Sequence, residues 1–344
     1  MRAPYLVNPA TDALVMGGAS IALYAACLAL EGGAGGASMS AAWETVAVLV
    51  AAMNGSHFAA TSYRLYRSPA AMRQFPLTAA LVPLVVLAGV AASFRWPLGA
   101  APYFIKLFLL WSPYHYSGQT LGLSALYARR AGAALEPAER RALEGFVFGT
   151  FLASTALAET RVNRFDYFGI AYPAFGLPPW VSWVCMAAMA LCGAAFIMLA
   201  AKRRVRLPWI VFVPPAAQFV WFIIGPRSAL FYPLVPMFHG AQYLFVSWFL
   251  HLQERRLEGA PRSFAGAAVE TARWGGWSLA GYLVLFLALP KLLAAATGQS
   301  FLFATAVFTG GVQLHHFFVD GVIWRLRTPH LSKAMTAPLS EALG

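Results

Sequence analysis

The stretch Gln313-Leu314-His315-His316-Phe317-Phe318-Val319-Asp320 decides how the chain is read. An apolar run, Phe301 to Gly311, leads into it, and a basic exit, Arg325-Leu326-Arg327, follows. Two histidines and an aspartate therefore sit in what composition marks as lipid-embedded helix. Ionisable groups there are costly and by default functional. At 3.6 residues per turn His316 and Asp320 share a face and Gln313 joins them, while His315 points elsewhere.

The surrounding chain has the same apolar character. Of 344 residues, 60% are hydrophobic and only 11% charged, against roughly 25% charged in soluble domains. Ten apolar runs, at about 12–30, 43–66, 77–94, 103–127, 142–158, 180–200, 207–224, 229–252, 277–296 and 301–326, predict an all-α, polytopic membrane bundle forming one transmembrane domain over residues 1–344. Pro83, Pro214 and Pro215 fall inside the third and seventh runs and predict kinks. The third, fifth and seventh runs are short or proline-broken, so eight or nine spans is the alternative count.

The net charge of +12 does not indicate nucleic acid, because the basic residues lie in short clusters between apolar runs. Arg64, Arg67 and Arg73 follow the second run; Arg129, Arg130, Arg140 and Arg141 the fourth; Lys202, Arg203, Arg204 and Arg206 the sixth. Arg255, Arg256, Arg262 and Arg273 follow the eighth, and Arg325, Arg327 and Lys333 the tenth. With Arg2, 19 of the 25 basic residues share one side. That asymmetry predicts both termini in the cytoplasm, an even span count, and a bacterial-type inner (cytoplasmic) membrane. The start, Met1-Arg2-Ala3-Pro4, does not read as a signal peptide, so the first run is expected to be retained. Cys27, Cys185 and Cys192 lie in apolar runs without CxxC spacing and read as small core residues. The loop 159–179 reads as an outer interfacial aromatic belt or a lid. The loop 254–276 reads as a basic segment at the anionic headgroup surface.

Four even-numbered runs each carry a histidine with a polar neighbour at helical spacing. His57 has Asn54 three residues before it and Thr61 four after; His115 has Gln119 four after. His239 has Gln242 three after, and His316 has Gln313 and Asp320. Metal-bound histidines usually give their second ring N–H to an oxygen, so Asn54, Gln119, Gln242 and Gln313 are the expected partners behind the rings. His251 and His330 lie near or beyond the cytoplasmic helix ends and read as surface residues. Measured from the arginines at 1.5 Å per residue, the four buried histidines differ in depth, from roughly 10 Å for His57 to roughly 24 Å for His239. A single centre therefore requires the arginines to lie in different planes.

Imidazole suits zinc, copper, iron and nickel; four to five histidines with a carboxylate and few thiols favour iron or copper over a structural zinc site. Haem ligation in a helix bundle and a proton relay in a transporter remain open readings of the same residues. The arrangement of His57, His115, His239 and His316 resembles the membrane histidine-iron oxygenases of the Brp/Blh carotene dioxygenase type. That resemblance implies an all-helical membrane protein holding a non-haem iron on histidines of separate helices.

The resulting expectation is a membrane non-haem iron oxygenase or related oxidoreductase acting on a lipid-soluble small molecule, with membrane lipids around it and an electron-donor protein as partner. The alternatives are a haem-binding electron-transfer protein or a proton-coupled transporter. His57, His115, His239 and His316 are the candidate metal ligands, Asp320 a fifth ligand or the partner of His316, and His315 a reserve ligand. Tyr63, Trp111, Tyr114, Tyr116 and Tyr243 are candidates for lining the substrate cavity.

Overall fold

The computed structural model describes residues 4–33, 37–67, 69–160, 166–259, 263–324 and 334–343, with only the backbone for 33, 37–46, 341 and 342. Among these, ten long helices follow one another: α1 Pro9–Gly32, α2 Ala37–Tyr66, α3 Leu77–Arg95, α4 Ala101–Arg130, α5 Pro137–Thr160, α6 Pro179–Ala201, α7 Trp209–Arg227, α8 Val235–Leu257, α9 Phe264–Thr297 and α10 Phe301–Ile323. The strand content of the described residues is one two-stranded antiparallel hairpin, β1 Asp166–Tyr167 and β2 Ile170–Ala171. Arg2, Arg161, Arg164, Arg262, Arg325, Arg327, His330 and Lys333 lie outside the described residues.

Six helices are long and apolar enough to cross a membrane: α1, α3, α6, α7, α9 and α10. Helices α2, α4 and α8 fall short because they carry the histidines and their polar neighbours. Their polar faces turn inward: His57, Thr61, Ser117, Thr120, His239, Gln242 and Ser247 are all buried. Lipid-facing character is carried instead by helices such as α6, whose Trp183, Val184 and Leu191 are exposed. These apolar helices mark the chain as a membrane protein.

Local chemistry sets the helix ends. Asn8 caps α1 by accepting from Thr11 N–H, and the buried Asp12 carboxylate takes the N–H groups of Leu6, Val7 and Asn8. Ser263 and Ser300 cap α9 and α10 through their hydroxyls. The proline expectation needs correction at the seventh run. Pro214 and Pro215 stand at the start of an α-helical segment, Val213–Phe219, behind a 3₁₀ turn, Trp209–Phe212. The missing N–H costs nothing there. Pro83 and Pro290 each follow a π-helical turn, Leu77–Leu81 and Leu283–Ala288, which accommodates the lost hydrogen bond inside a continuous helix.

Two loop expectations also change. Residues 264–276 are not loop but the first turns of α9, which at 34 residues is roughly 51 Å long, well beyond a hydrocarbon core of about 30 Å. The charges that suggested a loop are paired. Glu270 bonds Arg255 and Arg273, while Glu254 bonds Arg64 and Arg67. His251, expected at the surface, is buried in this network 3.5 Å from Glu270. At the opposite end, the 166–179 segment folds back over the bundle. Ile170 is buried with Val90, Ala101, Ile105, Ala306 and Val307, and Tyr167 packs edge-on to Phe108. A buried Lys106–Glu159 pair fastens it, with Lys106 also donating to Pro173 O and Glu159 accepting from Phe175 N and the Tyr172 hydroxyl. Trp180 and Phe175 stay exposed, as a belt would have them.

Candidate metal centre

The four histidines meet at one point in the bundle. His57 on α2, His115 on α4, His239 on α8 and His316 on α10 have run to a common depth despite their unequal distances from the arginines. His316 Nε2 lies 3.2 Å from His57 Nε2 and 3.1 Å from His115 Nε2. The His239 ring sits edge-on to both neighbours, with centroids 5.2 Å from His57 and 5.1 Å from His115. His57, His239 and His316 are at most 1% exposed. The rings converge although they stand at unequal numbers of residues from the arginines that follow them on their helices.

Close approach needs small neighbours. A Cβ on Gly240, next to His239, would stand 3.1 Å from Met53 O and 3.2 Å from His57 Nδ1. The glycine lets α8 lie against α2 so that the two imidazoles share a site. Aromatic faces wall the cluster: Tyr116 stacks on His239 at 3.7 Å, Phe317 on His115 at 4.7 Å, and Phe58 sets its edge against His316 at 4.7 Å.

The donor set suits a cation. His316 Nδ1 is 2.9 Å from Thr61 Oγ1, and that hydroxyl donates to His57 O at 3.1 Å. Thr61 therefore accepts the Nδ1 proton, leaving the His316 Nε2 lone pair facing His57 and His115. One lone pair accepts one proton, so two neutral imidazoles cannot both be satisfied by it. His239 Nδ1 and Nε2 are buried with no hydrogen-bond partner among the described residues, at about 1–3 kcal/mol each if nothing binds them. The Nε2 separations equal the edge between adjacent ligands around an ion with bonds of about 2.1 Å, roughly 3.0–3.4 Å. The residues present fit a metal ion held by imidazole.

Asp320 faces the same point. Its Oδ2 is 3.3 Å from His316 Nε2 and 3.6 Å from His115 Nε2, while Oδ1 takes Trp324 Nε1–H at 3.2 Å. Of the two roles expected for Asp320, the geometry favours the ligand side, since the position behind His316 belongs to Thr61. His57, His239 and His316 form one group of potential ligand atoms within 4.8 Å of each other, and His115, His316 and Asp320 a second.

Other expected residues are placed differently. His315 turns away from the centre and stacks on Tyr66, with its Nε2 3.1 Å from the Tyr66 hydroxyl. Gln119 Nε2 bonds His239 O at 3.2 Å and Gln242 Oε1 at 3.0 Å, and Gln242 Nε2 bonds Met16 O at 2.8 Å. This amide pair therefore ties α4, α8 and α1 together instead of backing the imidazoles. Asn54 Oδ1 is buried without a partner among the described residues, and Gln313 is buried beside His316 without reaching its ring nitrogen. A side chain one turn along its own helix points past the ring. The functional partner comes from a facing helix, as Thr61 does.

Beside the centre lies a cavity of about 340 Å³, bounded by α4, α5, α8, α10 and Met335. His115 and Asp320 form part of its wall, so it opens onto the cluster. Trp111, Tyr114 and Tyr243 line it. Tyr63 instead stacks on Trp277, and Tyr116 is spent on His239. Reasoning from sequence missed Trp324, one turn after Asp320 and visible from that spacing, and the cavity glycines Gly118, Gly122 and Gly321. Fold and site together define a class: an all-helical bundle of apolar helices closed around a buried polyhistidine centre. Comparison with family models, with curated proteins and with solved structures finds no match for this chain.

Proposed function

We propose that the protein is an integral membrane, non-haem iron oxygenase or related oxidoreductase acting on a lipid-soluble small molecule. The observation that carries this reading is the convergence of His57, His115 and His316 Nε2 atoms within 3.2 Å of one another's shared neighbour, beside a buried His239 with both ring nitrogens unpartnered. His57, His115, His239 and His316 would hold the ion, with Asp320 adding a carboxylate that offsets its charge. Iron held there supplies oxygen activation.

The chain's own residues do the rest. Thr61 fixes the His316 tautomer by accepting at Nδ1, which aims Nε2 at the centre. Tyr116, Phe317 and Phe58 close the imidazole faces and exclude water. The cavity holds a substrate against His115 and Asp320. An electron-donor protein is the partner such chemistry requires.

The His316 Nε2 separations of 3.2 Å to His57 and 3.1 Å to His115 suit adjacent ligands of one bare ion. Metal analysis and an optical spectrum of the purified protein test the proposal. Stoichiometric iron without a Soret band is expected; a Soret band, or protein that binds no metal, overturns it.

The proposal extends to topology: ten spans with both termini inside, in a bacterial-type inner membrane. Ten helices, each overlapping one of the apolar runs, and the one-sided basic clusters support it. Reporter fusions to the two chain ends should give the same cytoplasmic signal; opposite signals overturn the even count.

A further inference from the structure

The cavity shows what it is shaped to take. Residues 111, 115, 118, 122 and 126 of α4 all face it, tracing one helix face roughly 22 Å long. Its floor is made of glycine. A Cβ on Gly118, Gly122 or Gly321 would meet nothing within 4 Å, so these glycines do not serve helix packing. They leave space. The remaining wall is apolar: Trp111, Phe148, Phe317 and Trp324, with Leu123, Leu126 and Val246 beyond. Tyr114 both lines the cavity and is 49% exposed on the outside of the bundle, against Phe148 and Phe151 of α5. The mouth therefore opens sideways between α4 and α5, toward the lipid.

The polar groups of the wall bear on the polar end of the occupant. The two amides in the wall are oriented unambiguously, because each nitrogen meets a backbone carbonyl, Gln119 at His239 O and Gln242 at Met16 O. Both Gln119 amide protons are used, the second on Gln242 Oε1. Gln119 Oε1 has no donor among the described residues. Trp324 N–H is given to Asp320, and the Tyr243 hydroxyl is paired with Asp320 and with Thr61 Oγ1 at 2.5 Å. Gln119 is thus left with a free acceptor, Oε1, in the wall one turn from His115. An occupant that brings a proton to that point is matched; one with no polar atom leaves it unpaired.

We propose that the cavity is a binding slot for a membrane-borne aliphatic or isoprenoid alcohol, with the glycine face of α4 receiving its apolar body and Gln119 Oε1 accepting its hydroxyl proton. Gln119 is one turn from His115, so the hydroxyl end is held about 6 Å along the helix from the histidine centre. That this alcohol is the substrate rests on the reading of the histidines as a metal site; that it binds does not.

The test uses the full-length protein in lipid nanodiscs with two probes, farnesol and its hydrocarbon counterpart farnesene, each radiolabelled, and measures bound iron on the same samples. The wild-type protein is expected to bind farnesol about tenfold more tightly than farnesene, the scale of one hydrogen bond to a group otherwise left unpaired. Equal binding of the two by the wild type, or binding of neither, overturns the proposal without recourse to any variant. Gln119→Leu should abolish the preference. Gly122→Leu should remove binding of both probes while iron content and thermal unfolding stay as in the wild type; unchanged farnesol binding by Gly122→Leu overturns the location. The two readings fail separately: alcohol binding by iron-free protein overturns the metal centre and leaves the slot, and iron without alcohol binding does the reverse.

Discussion

The seam between α5 and α6 and the cavity face of α4 are both glycine-bearing surfaces of apolar helices, and they use glycine in opposite ways. At the seam, a Cβ on Gly149 would stand 2.8 Å from Met189 Cβ and 3.0 Å from its Cα. One on Gly145 would stand 2.6 Å from Cys192 Sγ, and one on Gly193 2.8 Å from Phe146. There the missing side chain lets two backbones close on each other, the usual source of association between helices in lipid, where the hydrophobic effect offers none. On α4, Gly118 and Gly122 face empty space. One region converts glycine into contact and the other into volume. The lesson is that close packing and open volume are placed on different helices, so each can be damaged without the other.

The sharpest way to break that separation is Gly149→Leu. Its side chain would meet backbone as well as side chain, so the seam must open, at about 3 kcal/mol or more. Thermal unfolding of the purified variant in detergent should fall clearly below the wild type or yield no folded protein. A wild-type unfolding curve would show that the seam is not a source of stability. Next come His57→Ala, His115→Ala, His239→Ala and His316→Ala. Each should lose most bound metal at near-native thermal stability, whereas His251→Ala, sitting in the charged network with Glu270, should keep it. Full metal retention in any two of the four would dissolve the single centre.

Asp320→Asn should act on the same axis with a smaller effect, weakening metal binding or turnover about 10- to 100-fold while the fold survives. Wild-type metal content and activity in that variant would reduce Asp320 to a hydrogen-bond partner of Trp324. The smallest effect on stability is expected from Gly122→Leu, within about 0.5 kcal/mol of the wild type, as for a change that fills no occupied space. If it unfolds the protein as Gly149→Leu does, the two glycine surfaces are not different in kind.

Much of the architecture was legible because it is written locally. Each apolar run is its own helix, and the basic clusters after every second run need no tertiary knowledge. The start of α9 was misread because Glu270 and Arg273 look like solvated loop charges until Arg255, in the last turn of α8, is seen beside them. The histidines were legible by residue type within apolar runs. Their convergence was not, since depth counted from Arg64, Arg129 and Arg255 assumes equal helix protrusion. The amide partners failed for a related reason: Gln119 and Gln242 are neighbours of histidines in sequence but bond across helices, while Thr61, noted for its closeness to His57, serves His316. Glycine's role was unreadable in principle, because contact and void look identical in one chain.

The contact between His57 and His316 spans 259 residues, and this sets a schedule for biogenesis. At about 5–20 residues per second, the ribosome needs roughly 13 to 50 s to make the second partner after the first has emerged. Throughout that interval the His57 imidazole lacks the partner that α10 later brings. The nascent bundle is thus most vulnerable to quality-control proteolysis before its last helix arrives.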